Sequence, residues 1–106
     1  MPDKQTTELD QRTLTAVSQI FKAVADPTRI RILYLLSQGE CSVSEIARRL
    51  HLHQSAVSHQ LGFLRHLNLV KSRRSGKEVF YSEEDEHVMT ILSQTIIHAR
   101  HGSTDQ

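Results

Sequence analysis

Apolar residues recur every three or four positions along most of this chain, and the period shortens only once. Over 9–24, Leu14, Val17, Ile20, Phe21 and Val24 keep the spacing that gathers side chains on one face of an amphipathic helix. Asp26 and Pro27 then restart the chain, because Asp is a good N-cap and Pro suits the first helical position, where its missing N–H is not needed. A second helix follows, with Ile30, Leu33 and Leu36 on its apolar face and Ile32 and Leu35 broadening it. Gly39 supplies the positive-φ residue that commonly ends a helix. Residues 42–45, Ser-Val-Ser-Glu, fit a capping box, so a third helix begins there and runs to about Leu50. His51, Leu52 and His53 form a short connector, and Val57, Leu61 and Leu64 set out a fourth helix over 54–66. Two short helices joined by a tight turn, the second polar on its outer face, predict a helix-turn-helix.

Between 69 and 81 the pattern becomes a partial alternation. Residues 69–74 and 78–81 flank Ser75 and Gly76, which predicts a β-hairpin. A last helix begins near 83–85, where acidic residues complement the positive end of its dipole, and continues to about Arg100. Val88, Ile91, Leu92, Ile96 and Ala99 form its stripe. The elements predict a mainly α fold with a small β-hairpin, a winged helix-turn-helix, in one domain over 9–101 between polar, flexible tails at 1–8 and 102–106.

Length agrees with that count, since 106 residues suit a single core. Without Trp, and with only two Tyr and three Phe, this core depends on Leu, Ile and Val; a small aliphatic core is marginal alone and favours oligomerisation. No apolar run approaches the roughly 18–20 residues of a membrane span, and the N-terminus lacks an apolar signal-peptide core, so a cytoplasmic protein without a membrane partner is expected. The single Cys41 cannot form an internal disulfide. Ser42 and Ser44 beside it are not thiols, so a buried, inert cysteine is expected.

Charge changes the picture more. A formal net charge of +1 conceals segregation: 46–77 contains no Asp or Glu, while Arg48, Arg49, Arg65, Lys71, Arg73, Arg74 and Lys77 give it a local charge of +7. That window contains the expected helix-turn-helix and wing. Gln54, Ser55, Ser58 and His59 share the face of the fourth helix opposite Val57, Leu61 and Leu64. Short polar side chains of this kind reach base edges and phosphates without blocking close approach. Arg73, Arg74 and Lys77 surround the hairpin tip, within reach of phosphates or a minor groove. The pattern points to double-stranded DNA as partner and away from an enzyme with a small-molecule substrate.

A second group of residues carries different chemistry. Asp85 and His87 open the last helix, and His98 and His101 lie near its end, three apart and therefore neighbours on one face. His87 precedes His98 by eleven residues, about 16.5 Å along a helix, whereas zinc–ligand bonds are only about 2.0–2.2 Å; one ion cannot bridge both pairs on a straight helix. Eleven residues nevertheless return to nearly the same face. A two-fold homodimer formed through the terminal helices would bring Asp85 and His87 of one chain to His98 and His101 of the other, making two equivalent sites. Asp85 and His87 diverge within a regular helix, so Asp85 is expected in its lead-in. Three imidazoles and a carboxylate suit zinc or cobalt, with nickel and cadmium as alternatives. Three other readings stay open: a DNA-binding regulator with a non-metal signal, a purely structural metal, and, remotely, a zinc hydrolase.

Two segments give the chain a family look: Ala25, Asp26, Pro27, Thr28, Arg29, Ile30, Arg31, Ile32 and Leu33, and then Gln54, Ser55, Ala56, Val57, Ser58, His59, Gln60 and Leu61. Over about 14–101 it resembles the ArsR/SmtB metal-sensing repressors, and in particular their zinc- and cobalt-responsive branch. Asp85, His87, His98 and His101 match the family's site on the last helix at all four positions. Members that sense arsenic or cadmium often carry a Cys-x-Cys pair at the start of helix three; Ser42 and Ser44 occupy those positions here. His53 stands where a capping Ser is common. The resemblance implies a dimer that represses an operon for metal efflux or storage and leaves its operator when metal is abundant.

Overall fold

A computed structural model describes residues 7–104. Helix α1 covers Gln11–Val24 and α2 covers Pro27–Leu36; a two-residue strand β1, Cys41–Ser42, leads into α3, Val43–Leu50. Next come α4, Gln54–His66, the hairpin strands β2, Val70–Ser75, and β3, Glu78–Glu83, and finally α5, Glu86–Thr104.

The caps explain most boundaries. The Asp10 carboxylate accepts from the Thr13 N–H at 3.0 Å, so α1 begins at Gln11. Asp26 does the same for the Arg29 N–H at 3.0 Å, with Pro27 in the first turn of α2. Ser42 accepts from the Glu45 N–H at 3.1 Å, which realises half of the expected capping box. The Glu45 carboxylate instead lies 2.7 Å from Arg49 and 3.6 Å from Arg48, one turn further along α3, because two guanidinium groups are stronger partners than one backbone N–H. Helix α5 runs past the end expected near Arg100, through Gly102 to Thr104. Of the N-terminal tail, residues 1–6 lie outside the described residues, and Thr7 and Glu8 are exposed and outside any helix or strand.

Strand β1 was not expected. It pairs antiparallel with β3, Cys41 opposite Tyr81 and Ser42 opposite Phe80, and so converts the hairpin into a three-stranded sheet of order β1-β3-β2. Two residues carry no readable alternation; only the neighbouring β3 makes them a strand. The wing turns through Gly76, whose φ of 63° lies in the left-handed region that glycine adopts without strain. Asn68, at φ 61°, turns α4 into β2.

The core lies where α2, α3, α4 and the sheet meet. Ile32, Leu33, Leu36, Ile46, Val57, Leu61, Leu64, Leu69 and Val70 are fully buried in it. Cys41 is buried as well, and that burial pushes its thiol pKa up. Replacement of Leu61 by Ala is expected to destabilise the fold by about 2–5 kcal/mol, because the cavity lies between helices that cannot both collapse onto it. Urea unfolding at fixed protein concentration measures this; a loss below about 1 kcal/mol would contradict the assigned burial.

The two terminal helices behave differently from the core. On α1 only Ala23 is buried, while Leu14, Val17 and Phe21 are exposed, and Ile91 and Ile97 are exposed on α5. The radius of gyration is 16.2 Å, against about 13 Å for a compact domain of 100 residues. An open groove lined by Val17, Ile20, Phe21, Val24, Ile30, Val88, Ile91 and Leu92 runs between the two helices. The stripes predicted from the sequence exist, but a single chain leaves them largely uncovered.

Candidate functional site

The helix-turn-helix is built from the end of α3 and the start of α4. His51 closes α3 in the left-handed conformation, φ 59°, and its N–H and that of Leu52 return to the Arg48 and Ala47 carbonyls at 3.4 and 2.9 Å. Val57, Leu61 and Leu64 hold α4 against the core. Gln54, Ser55, Ser58 and His59 are all exposed on its outer side, where the sequence put them. His53 is the N-cap of α4 and makes no side-chain capping bond. The first N–H groups of α4 are thus without a side-chain acceptor from their cap, at the positive end of the helix dipole and beside the polar face.

The wing lies next to that face. A polar cleft lined by Val43, Ser44, Gln54, Ser58, Lys77, Glu78 and Val79 joins the start of α4 to the tip of the hairpin. Ser44 donates to a Glu78 carboxylate oxygen at 3.2 Å, which ties α3 to β3. Arg74 and Lys77 are exposed, with no ion pair among the described residues.

Arg73 has a different surrounding from the one its sequence position suggests. Its Nε and Nη2 donate to the two carboxylate oxygens of Glu40 at 2.8 and 2.9 Å, and its guanidinium lies 4.8 Å from the centre of the Phe80 ring. The fork engages both oxygens, and the Arg73 hydrogen bond holds the Glu40 carboxyl below its ordinary range. Arg73 therefore braces β2 against the turn before β1. The acid-free window also has two of its seven positive charges offset, since Glu45, shared by Arg48 and Arg49, and Glu40, paired with Arg73, lie just outside it in sequence. Arg65, Lys71, Arg74 and Lys77 keep theirs. Nothing local in the sequence announces the pairing of residues 40 and 73, because it depends on the sheet register.

Asp85 stands in the lead-in to α5, as its spacing from His87 requires. Its carboxylate accepts from the His87 N–H at 2.7 Å, and the same oxygen lies 2.9 Å from His87 Nδ1. The backbone bond from His87 is the main reason the Asp85 carboxyl titrates below the ordinary range, so it is a charged donor at neutral pH. Two ligands of a tetrahedral zinc stand roughly 3.3 Å apart, given bonds of about 2.0–2.1 Å. Asp85 and His87 would need to part by only a few tenths of an ångström to share one ion, and His87 is 88% exposed at its side chain. His98 and His101 are exposed on the far part of α5. Among the described residues no three His, Cys, Asp or Glu side chains of one chain gather into a metal cluster. Asp85 and His87 stand at the beginning of α5 and His98 and His101 toward its other end.

No helix among the described residues is long and apolar enough to cross a membrane. Comparison with known proteins finds relatives among DNA-binding regulators. The model of the family described as "Bacterial regulatory protein, arsR family" matches residues 26–72. The HTH-type transcriptional regulator NmtR of Mycobacterium tuberculosis is 40% identical over 93 residues, which are 88% of this chain and 78% of that protein. A "Cadmium resistance transcriptional regulatory protein CadC homolog" of Staphylococcus aureus is 39% identical over 85 residues, covering 79% of this chain and 70% of its own. Among solved structures, the homodimeric winged helix-turn-helix DNA-binding domain Mb0332 from Mycobacterium bovis, described as a possible ArsR-family transcriptional regulator, matches with a TM-score of 0.82 at 28% identity. The match covers 96% of each chain.

Proposed function

This chain belongs to the ArsR/SmtB family of bacterial transcriptional regulators, and from that premise we propose that it is a zinc- or cobalt-responsive repressor, active on its operator as a metal-free homodimer. The observation that carries the proposal is the division of Asp85 and His87 from His98 and His101 between the two ends of α5. Two-fold pairing of α5 with its symmetry mate completes two sites, each with three imidazoles and one carboxylate. Zinc and cobalt suit that donor set better than soft ions, which the related cadmium resistance protein by name concerns. Regulation of metal efflux or storage genes, in the cytoplasm, follows from such a sensor.

Gln54, Ser55, Ser58 and His59 read base edges in the major groove, and Arg74 and Lys77 contact backbone phosphates from the wing. Arg73, paired with Glu40, positions the wing and contributes less to the phosphates. In a dimer the two α4 helices must match the roughly 34–36 Å repeat of successive major grooves. Metal weakens DNA binding only if it binds the low-affinity dimer geometry more tightly, and DNA then weakens metal binding by the same factor. A metal bridging two α5 helices sets their crossing and thereby the separation of the α4 pair.

Operator binding followed by fluorescence anisotropy, at fixed salt and with or without zinc or cobalt, tests the reading. Release by either ion at about one equivalent per protomer supports it; unchanged affinity at saturating metal refutes it. The wing contacts carry their own expectation. Replacing Arg74 and Lys77 by Ala removes up to four phosphate contacts from the dimer, so the slope of log affinity against log salt should flatten by roughly 3–4, with little change in sequence preference. An unchanged slope would place the wing away from the backbone.

A further inference from the structure

Helix α2 touches α4, which is the proposed recognition helix, α3 before it, and both terminal helices, and Arg29 and Arg31 make polar contacts of 2.7 Å from it. The first turn of α2 is pinned by the Asp26 carboxylate on the Arg29 N–H. From there the Arg29 side chain crosses to α4, where Nε donates to Gln60 Oε1 at 2.7 Å and the guanidinium covers the Phe63 ring at 4.1 Å from its centre. Gln60 and Phe63 are three apart and neighbours on one face of α4, so one planar group grips two consecutive turns. This contact also joins the two segments, 25–33 and 54–61, that give the sequence its family look.

The remaining contacts of α2 reach in the other directions. Arg31 Nη2 donates to the Leu50 carbonyl at 2.7 Å, holding the last residue of α3 at the helix-turn-helix connector. Ile30, between the two arginines, lines the apolar groove formed with α1 and α5. Further along, Arg100, which lies between His98 and His101 on α5, is 6.0 Å from the centre of the Tyr34 ring. One ten-residue helix thus meets the sensing end of α5, the terminal-helix groove and both helices of the reading head.

We propose that Arg29 is a positioning residue that makes α2 and α4 move as one body, so that a change in how the terminal helices pair is passed to the recognition helix. The inference rests on the metal-release reading above. With the clamp intact, a shift of α5 and α1 against their symmetry mates displaces α4 fully. Without it, α4 can pivot on its apolar contacts, Val57, Leu61 and Leu64, and adapt to the operator in either dimer geometry.

Two variants test this. Arg29→Lys keeps the charge but loses the planar fork, and Phe63→Leu removes the ring from a side chain that is already 39% exposed, so the core is untouched. Apo operator affinity, zinc stoichiometry without DNA, and the zinc-induced fold-change in operator affinity are measured for each. The expected result is a folded dimer with unchanged zinc stoichiometry and apo affinity within about threefold of the parent, but a zinc-induced release reduced at least about fivefold. Release of parental size in both variants overturns the proposal. Loss of apo affinity with the release ratio preserved also overturns it, since Arg29 would then be an ordinary DNA contact. A parent protein that zinc does not release removes the sensing reading and this inference with it, so the parent measurement separates the two failures.

Discussion

Replacing Ile91 by Glu should convert the dimer into monomers and weaken operator binding by at least about a hundredfold. Ile91 is 48% exposed in the isolated chain and Phe21 is 53% exposed, so neither is needed to fold a protomer. Both belong to the apolar surface that α1 and α5 present along one open groove. In a two-fold interface each substitution occurs twice, and each new carboxylate must be buried without a partner or expel the opposing helix. Either outcome costs several kcal/mol of association free energy, roughly 1.4 kcal/mol per tenfold in the dimer constant. A separated protomer can occupy only one half-site, which removes the gain from linking two reading helices. Sedimentation equilibrium reads the assembly, and anisotropy reads the operator. A variant that stays dimeric with parental affinity would place the interface elsewhere than on these helices.

Replacing His98 by Ala should leave apo operator binding within about twofold of the parent and abolish release by zinc, where coupling in such switches is typically 5–150-fold. His98 is exposed in the protomer and belongs to neither α4 nor the hairpin, so its removal leaves the core intact. A four-donor site that loses one imidazole still holds metal through the other three. The prediction is therefore sharper for release than for binding: calorimetry should show weakened but measurable zinc uptake, while anisotropy shows an operator complex that zinc no longer dissociates. Release of parental size would remove His98 from the switch. Loss of apo DNA binding would instead mean that the residue supports the fold or the dimer.

Most helix boundaries and the exposed polar face of α4 were legible because their causes are local. Asp10, Asp26 and Ser42 cap the helices that follow them, and the spacing of Val57, Leu61 and Leu64 fixes which side of α4 faces outward. Asp85 was legible in the same way, since it stands two residues before His87 and a regular helix cannot point both at one ion. The end of α5 was not, because its apolar stripe runs out at Ala99, which set the expected end near Arg100, and the helix continues to Thr104.

What the sequence determined by itself about this protein is the order of its helices and hairpin, the apolar stripe of each helix and the positions of Asp85, His87, His98 and His101 along the last one. All follow from backbone periodicity and side-chain chemistry within a few residues. Tertiary structure decided which charges remain available and which stripes remain uncovered. Strand β1 exists only because β3 lies beside it; Glu40 reaches Arg73, and Arg29 reaches Gln60 and Phe63, only because helices and strands distant in sequence pack at particular angles. These pairings neutralise part of the basic window and clamp the recognition helix. They lie about thirty residues apart in the chain, where no local period can specify them, and chain closure around the shared core of Ile32, Ile46 and Leu61 brings them together.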